Sequence, residues 1–247
     1  MLAIIIYLAV SLTALLLGTM ALRIMRLAPE DPAERGLVAF VLGQVLLALT
    51  ILVLGLLGHL QWWALTHMLL LSALISLRNL PACLRQVRQL LAAVGRGLVR
   101  SRLRAVHIAI VLVVVLQLVA ALAPPTPNDW DGTSEHLAMA KQYARDGRIH
   151  PLWYDHHSQF PATVQMLFTL AHVFGVPAAA KLFHWGFGMV ALAAALLIGR
   201  RLLSPAAGSW GALVLATTPG FAWLMGAGYV DLATVACGLL AVYFLVP

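Results

Sequence analysis

Charge is what this sequence has least of. Only 10% of its 247 residues are Asp, Glu, Lys or Arg, where soluble domains carry roughly 25%, so an ordinary water-solvated globule is excluded. Cysteine is scarce too: Cys83 and Cys237 stand far apart, which leaves no disulfide framework and no CxxC metal motif. The apolar runs do not alternate with polar residues, as 108–115 (IAIVLVVV) illustrates, and a membrane β-barrel needs that alternation. The first 22 residues lack the basic leader of a cleaved signal peptide. Arg23 and Arg26 follow them instead, as expected of a first membrane span that starts outside.

What fills the chain is hydrocarbon. Hydrophobic residues make up 62% of it, and ~20 successive apolar residues suffice to cross a ~30 Å hydrocarbon core as a helix. Seven spans are expected, over 2–22, 37–58, 60–77, 105–123, 177–199, 206–224 and 230–246. The net charge of +7 is concentrated, with Arg78, Arg85, Arg88, Arg96, Arg100, Arg102 and Arg104 in one inter-span segment without an acid among them. That is the positive-inside signature of a cytoplasmic loop, with some attraction to anionic headgroups, and not a nucleic-acid surface. Arg23, Arg26 and Arg35 put the first link on the same side, and Arg200 and Arg201 do so for the link after the fifth span. The fold class is therefore all-α, a polytopic transmembrane helical bundle. Residues 1–104 read as three N-terminal spans plus the Arg-rich loop, and 105–247 as a core with outer-face juxtamembrane helices in its 124–176 loop.

That loop has a composition of its own. Residues 124–159 hold five of the nine acids, Asp129, Asp131, Glu135, Asp146 and Asp155, and four of the nine histidines. Pro124, Pro125 and Pro127 end the preceding span. A helix is expected over 133–146, with Leu137, Ala140 and Ala144 on its buried face and Gly147 as its stop. The apolar run 160–176 is short for a span and contains Gln165 and His172. Counting it as a span would put Arg200 and Arg201 outside, so it reads as an amphipathic helix lying at the outer interface. The chain stops at Pro247, flush with an apolar helix, which reads as a truncated frame.

Charge in a bilayer costs at least ~2.5–3.5 kcal/mol per group, so Lys181 and Asp231, at the outer bounds of their spans, stand out. Asp129 and Asp131 lie two apart just beyond the membrane exit. A carboxylate there can orient or deprotonate an acceptor hydroxyl, and cations such as Lys141, Arg145, Arg148 and Lys181 can neutralise a leaving phosphate. Asp131 can equally be a helix cap. His136, His150, His156 and His157 can join nearby carboxylates around a divalent metal, the one cofactor the residues allow, but no HExxH or i, i+4 histidine pair marks such a site. His184, on an apolar helix, reads as a packed and hydrogen-bonded histidine. Trp130, Trp153 and Tyr154 read as interfacial belt residues.

The run PPTPNDWDGTSEHLAMAKQYARDGRIHP resembles the first outer loop of the GT-C membrane glycosyltransferases, within them the bacterial branch related to the protein O-mannosyltransferases. SQFPATVQMLFTLAHVFG resembles that branch's second juxtamembrane helix, and AAAKLFHWGFG, GRRL and TTPGFAWLMGAGYVDLA extend the likeness over about 124–246. The resemblance implies a bacterial plasma-membrane protein with its active face outside. It implies a polyprenyl-phosphate sugar as donor and a glycan, lipid or protein acceptor. It puts the family's outer-loop acid on Asp131 and its second outer acid on Asp231, and it places His136, Lys141 and Lys181 where the branch carries similar residues. A transporter or flippase of a lipid-linked substrate, or a non-catalytic scaffold, are the alternatives. The absence of ionisable groups at mid-span disfavours transport.

Overall fold

The computed structural model describes residues 1–27, 29–126, 128–160 and 162–246. Pro127, expected to help end the preceding span, and Pro161, in the run that resembles a juxtamembrane helix, fall outside the described residues. The described chain is mainly helical, with α1 Leu2–Met25, α2 Pro32–Leu56, α3 Trp62–Ser76, α4 Leu80–Arg100 and α5 Arg104–Leu122 in its first half. Then come α6 Leu137–Asp146, α7 Gln165–Val173, α8 Ala178–Leu202, α9 Pro205–Thr217, α10 Pro219–Gly226 and α11 Asp231–Leu245. No strand forms among the described residues.

Five helical runs are long and apolar enough to cross a membrane, or up to six if α10 and α11 count as one span bent by 119°. The expected seven includes two segments that miss this length. The run 206–224 is broken where Thr218 leaves the helix and Pro219 begins the next, because proline disfavours helix in the residue before it. Its two halves still run the length of the bundle: Ser209 meets His107 at the start of α5, whereas Gly226 lies against Ala120 and Gln117 near that helix's end. The other short segment is α11, with 15 residues.

The two ends of the bundle are chemically distinct. At one end, Arg96 of α4 and Arg200 of α8 line a cleft of about 440 Å³ with Asp31 and Glu34, and the Tyr243 hydroxyl donates to Glu34 at 2.6 Å. The basic links therefore share one end, as the charge pattern requires. At the other end sit the α2–α3 turn, where Leu60 N–H donates to the Gly147 carbonyl, and the acidic loop.

The Arg-rich segment differs from expectation. It is not an irregular loop: 80–100 is a 21-residue helix continuous with α3. Ala82, Cys83 and Gln86 are buried, with Gln86 against Thr19 of α1 and against Gly36 of α2. Leu84, Val87, Leu91 and Val94, at three- and four-residue spacing, stay exposed. The physical reason is an apolar helical period running beneath the arginines.

Close helix contacts hold the N-terminal part. A Cβ on Gly18 would strike the Ala39 backbone, and one on Gly43 the Ala14 backbone, the small-residue packing that brings membrane helices together. The α7 segment has nine residues, ~14 Å of helix, and does not span. Nor does it lie amphipathically at a surface, since Gln165 through Ala171 are all buried against α2, α6 and α8.

Candidate functional site

The acidic loop is built back onto the bundle. Ahead of α6 runs a π-helical turn, Gly132–His136, and α6 ends where Gly147 takes the left-handed conformation at φ 68° that glycine tolerates. Leu137, Met139, Ala140 and Tyr143 form the buried face of α6. Ala144, expected there, is only half-buried. Asp131 precedes the π turn, and its side chain makes no capping hydrogen bond. The cap explanation for this carboxylate thus loses its contact.

Asp131 is held from across the fold. Its backbone N–H donates to the Tyr229 hydroxyl at 3.2 Å, and Tyr229 sits in the turn between α10 and α11, two residues before Asp231. The Tyr229 ring packs edge-on against His136, with ring centres 5.8 Å apart, and against Trp223. His136 Nδ1 lies 3.3 Å from the Gln165 amide nitrogen. Burial pushes the His136 pKa down, while Glu135, Asp231 and Asp131 pull it up. Burial raises the Tyr229 pKa, and Asp131, Asp129 and Asp231 add to the rise. The Asp131 loop and the turn before Asp231 thus meet at the Tyr229–His136 contact. The Asp231 carboxylate is exposed in the first turn of α11, where a negative charge also suits the helix dipole.

Asp129 is deeper, only 4% exposed. One carboxylate oxygen accepts from Gly228 N–H at 3.4 Å, and the other is buried without a partner among the described residues. A side chain on Gly132 would collide with this carboxylate, so glycine is needed for the close approach. Burial raises the Asp129 pKa, and Gly228, Lys181 and His136 oppose the rise.

Lys181, from the first turn of α8, is buried and donates to the carbonyls of Ala120 at 2.9 Å and Ala123 at 3.0 Å. A cation on the last carbonyls of α5 satisfies groups that the helix leaves unpaired and complements its dipole. Lys141 and Arg145 are elsewhere. They line an open cleft of about 750 Å³ with Gln61, Trp62 and His172, on the face of α6 away from its buried residues. The structure therefore gathers Asp129, Asp131, Asp231 and His136, sets Lys181 beside Asp129 with its ammonium engaged, and separates Lys141 and Arg145 from them.

His184 is fully buried with both ring nitrogens used. Nδ1 lies 3.1 Å from the Ala227 carbonyl and Nε2 accepts from Leu232 N–H at 3.1 Å, which fixes a neutral tautomer and pins the turn that carries Tyr229 and Asp231. Sequence reasoning missed Tyr229 and Gln165. Tyr229 had a signal, its place two residues before Asp231; Gln165 had only its polarity in an apolar run. In comparisons with protein-family models, curated proteins and solved structures, nothing matches the chain.

Proposed function

We propose that the chain acts in sugar transfer, as a membrane glycosyltransferase that takes a sugar from polyprenyl phosphate and passes it to an extracytoplasmic glycan, lipid or protein acceptor. One observation carries the reading: the Asp131 amide donates to the hydroxyl of Tyr229, whose ring packs on His136 and which stands two residues before Asp231, so two acids far apart in sequence come to one place. In the reaction, Asp131 takes the proton of an acceptor hydroxyl as its oxygen bonds to the anomeric carbon. The bond from that carbon to the phosphate oxygen breaks, and the electron pair leaves with the polyprenyl phosphate. Asp231, exposed at the same rim, orients the acceptor or sugar hydroxyls, and buried Asp129 supports the turn that carries both Gly132 and Asp131. The outer-loop likeness to GT-C enzymes supports the same assignment.

A scaffold without catalysis is favoured by one specific feature. The two lysines suited to a leaving phosphate are engaged elsewhere, Lys181 on carbonyls and Lys141 in the separate cleft. Vesicles holding the protein and a polyprenyl-phosphate sugar with a labelled sugar group separate the readings. A transferase moves the label to an acceptor, a flippase moves the intact lipid between leaflets, and a scaffold does neither.

A further inference from the structure

Of the four histidines in the outer loop, His136 and His150 stand outside the cluster of possible metal ligands that the other two form with Asp155. His150 Nε2 bonds the Asp146 carboxylate at 2.8 Å, and His136 is engaged with Gln165. The other two come together with carboxylates. His156 and His157 open a short 3-10 turn, His156–Gln159, with ring centres 3.8 Å apart. Donor atoms of Asp155, His156 and His157 all lie within 4.8 Å of one another. From the π turn, Glu135 Oε2 approaches His157 Nε2 at 3.3 Å, while Asp155 Oδ1 lies 3.2 Å from the opposite nitrogen, Nδ1.

We propose that Glu135, Asp155, His156 and His157 form a binding site for a divalent transition-metal ion of the zinc class. Two ligands bound at ~2.0–2.2 Å to one tetrahedral ion stand about 3.4 Å apart, which is the spacing between Glu135 and His157. A carboxylate on the far nitrogen of a ligating histidine is the usual outer-shell support of such sites, and Asp155 stands there. His156 is exposed, which leaves it room to turn its ring toward an ion held by Glu135 and His157. Two imidazoles favour zinc, cobalt, nickel or copper over magnesium or calcium, and two carboxylates offset the ion's charge. Glu135 belongs to the turn after Asp131, whereas 155–157 belong to a separate excursion of the loop. Metal binding would therefore clasp two parts of the outer loop together. The inference is independent of the transferase reading.

The test uses the full chain in detergent or lipid nanodiscs, stripped with a chelator and titrated with Co²⁺ followed by Zn²⁺. One Co²⁺ per chain should bind with the visible absorption of a four-coordinate site, and Zn²⁺ should displace it. His157→Ala should weaken binding by more than the roughly 10–100-fold loss typical of an outer-shell change, and Glu135→Gln should weaken it too. His150→Ala should leave binding unchanged. X-ray absorption on the unaltered protein with bound Zn²⁺ should show two imidazoles, a readout that no misfolded variant can obscure. Absence of stoichiometric binding, an equal loss in His150→Ala, or a Zn²⁺ shell without imidazole each overturns the site and leaves 155–157 as a hydrogen-bonded turn.

Discussion

The amide of Asp131 donates to the phenolic oxygen of Tyr229 at 3.2 Å, tying the acidic loop to the turn that starts α11. Tyr229→Phe removes only that acceptor. The expected loss is about 0.5–1.5 kcal/mol of stability, the net worth of an ordinary hydrogen bond. A larger share of the effect should appear in transfer, because the loop that carries Asp131 loses its tether. Thermal unfolding and turnover measured on the same preparation check both; a variant with normal turnover would make the bond incidental.

Lys181 is expected to be a stability residue. Lys181→Met keeps the aliphatic stem but leaves the Ala120 and Ala123 carbonyls without their donor. Hydrogen bonds from a charged group are worth about 1.5–3 kcal/mol, so the melting temperature should drop clearly. If Lys181→Met melts like the unaltered protein and loses only donor binding, its ammonium serves a phosphate instead.

Two groups bend the pH dependence in opposite directions. Asp129 has a raised pKa, so the folded state binds the proton more tightly than the unfolded chain does. Its contribution is full below the ordinary carboxylate value and is lost as pH rises through the raised folded value. His172, pushed down to about 4 by burial and by Lys141, contributes stability above its ordinary value of 6.5 and loses it as pH falls toward about 4. Asp129→Asn should therefore be at least as stable as the parent at neutral pH, and His172→Phe should flatten the acid limb. Unfolding followed across that range checks both signs.

Orientation has its own test. A reporter fused after Leu203 should be cytoplasmic and one fused near Pro177 should lie outside, since α8 separates the Arg200 end from the acidic loop. A cytoplasmic Pro177 would invert α8 to α11.

Much of this was legible in the sequence, for identifiable reasons. Long apolar runs state their own structure, so α1, α2, α5 and α8 were found where hydropathy put them. The arginines of 78–104 concealed a helix, because seven charges draw attention from the stripe of Leu84, Val87, Leu91 and Val94 beneath them. That the Asp131 loop meets the turn carrying Asp231 was foreshadowed only by resemblance, and the Tyr229 hydroxyl that joins them was not foreseen, since nothing local links a loop to a turn so far along the chain. The separation of Lys141 and Arg145 from the acids was not legible. It depends on which face of α6 packs inward, and that is decided by Met139 and Tyr143 meeting the rest of the fold. Asp129 looked like half of a paired motif; its burial under Gly132 and Gly228 exists only after packing.

The most direct measurement is the turnover of Asp131→Asn beside the unaltered protein, both in lipid with a polyprenyl-phosphate sugar and acceptor. Asparagine keeps the size of the side chain but cannot take a proton. The expected result is a fall of about 10²–10⁴-fold, the range contributed by a positioned general base, with insertion and melting unchanged. Turnover by Asp131→Asn equal to that of the unaltered protein would contradict the role given to Asp131 and the site built around it.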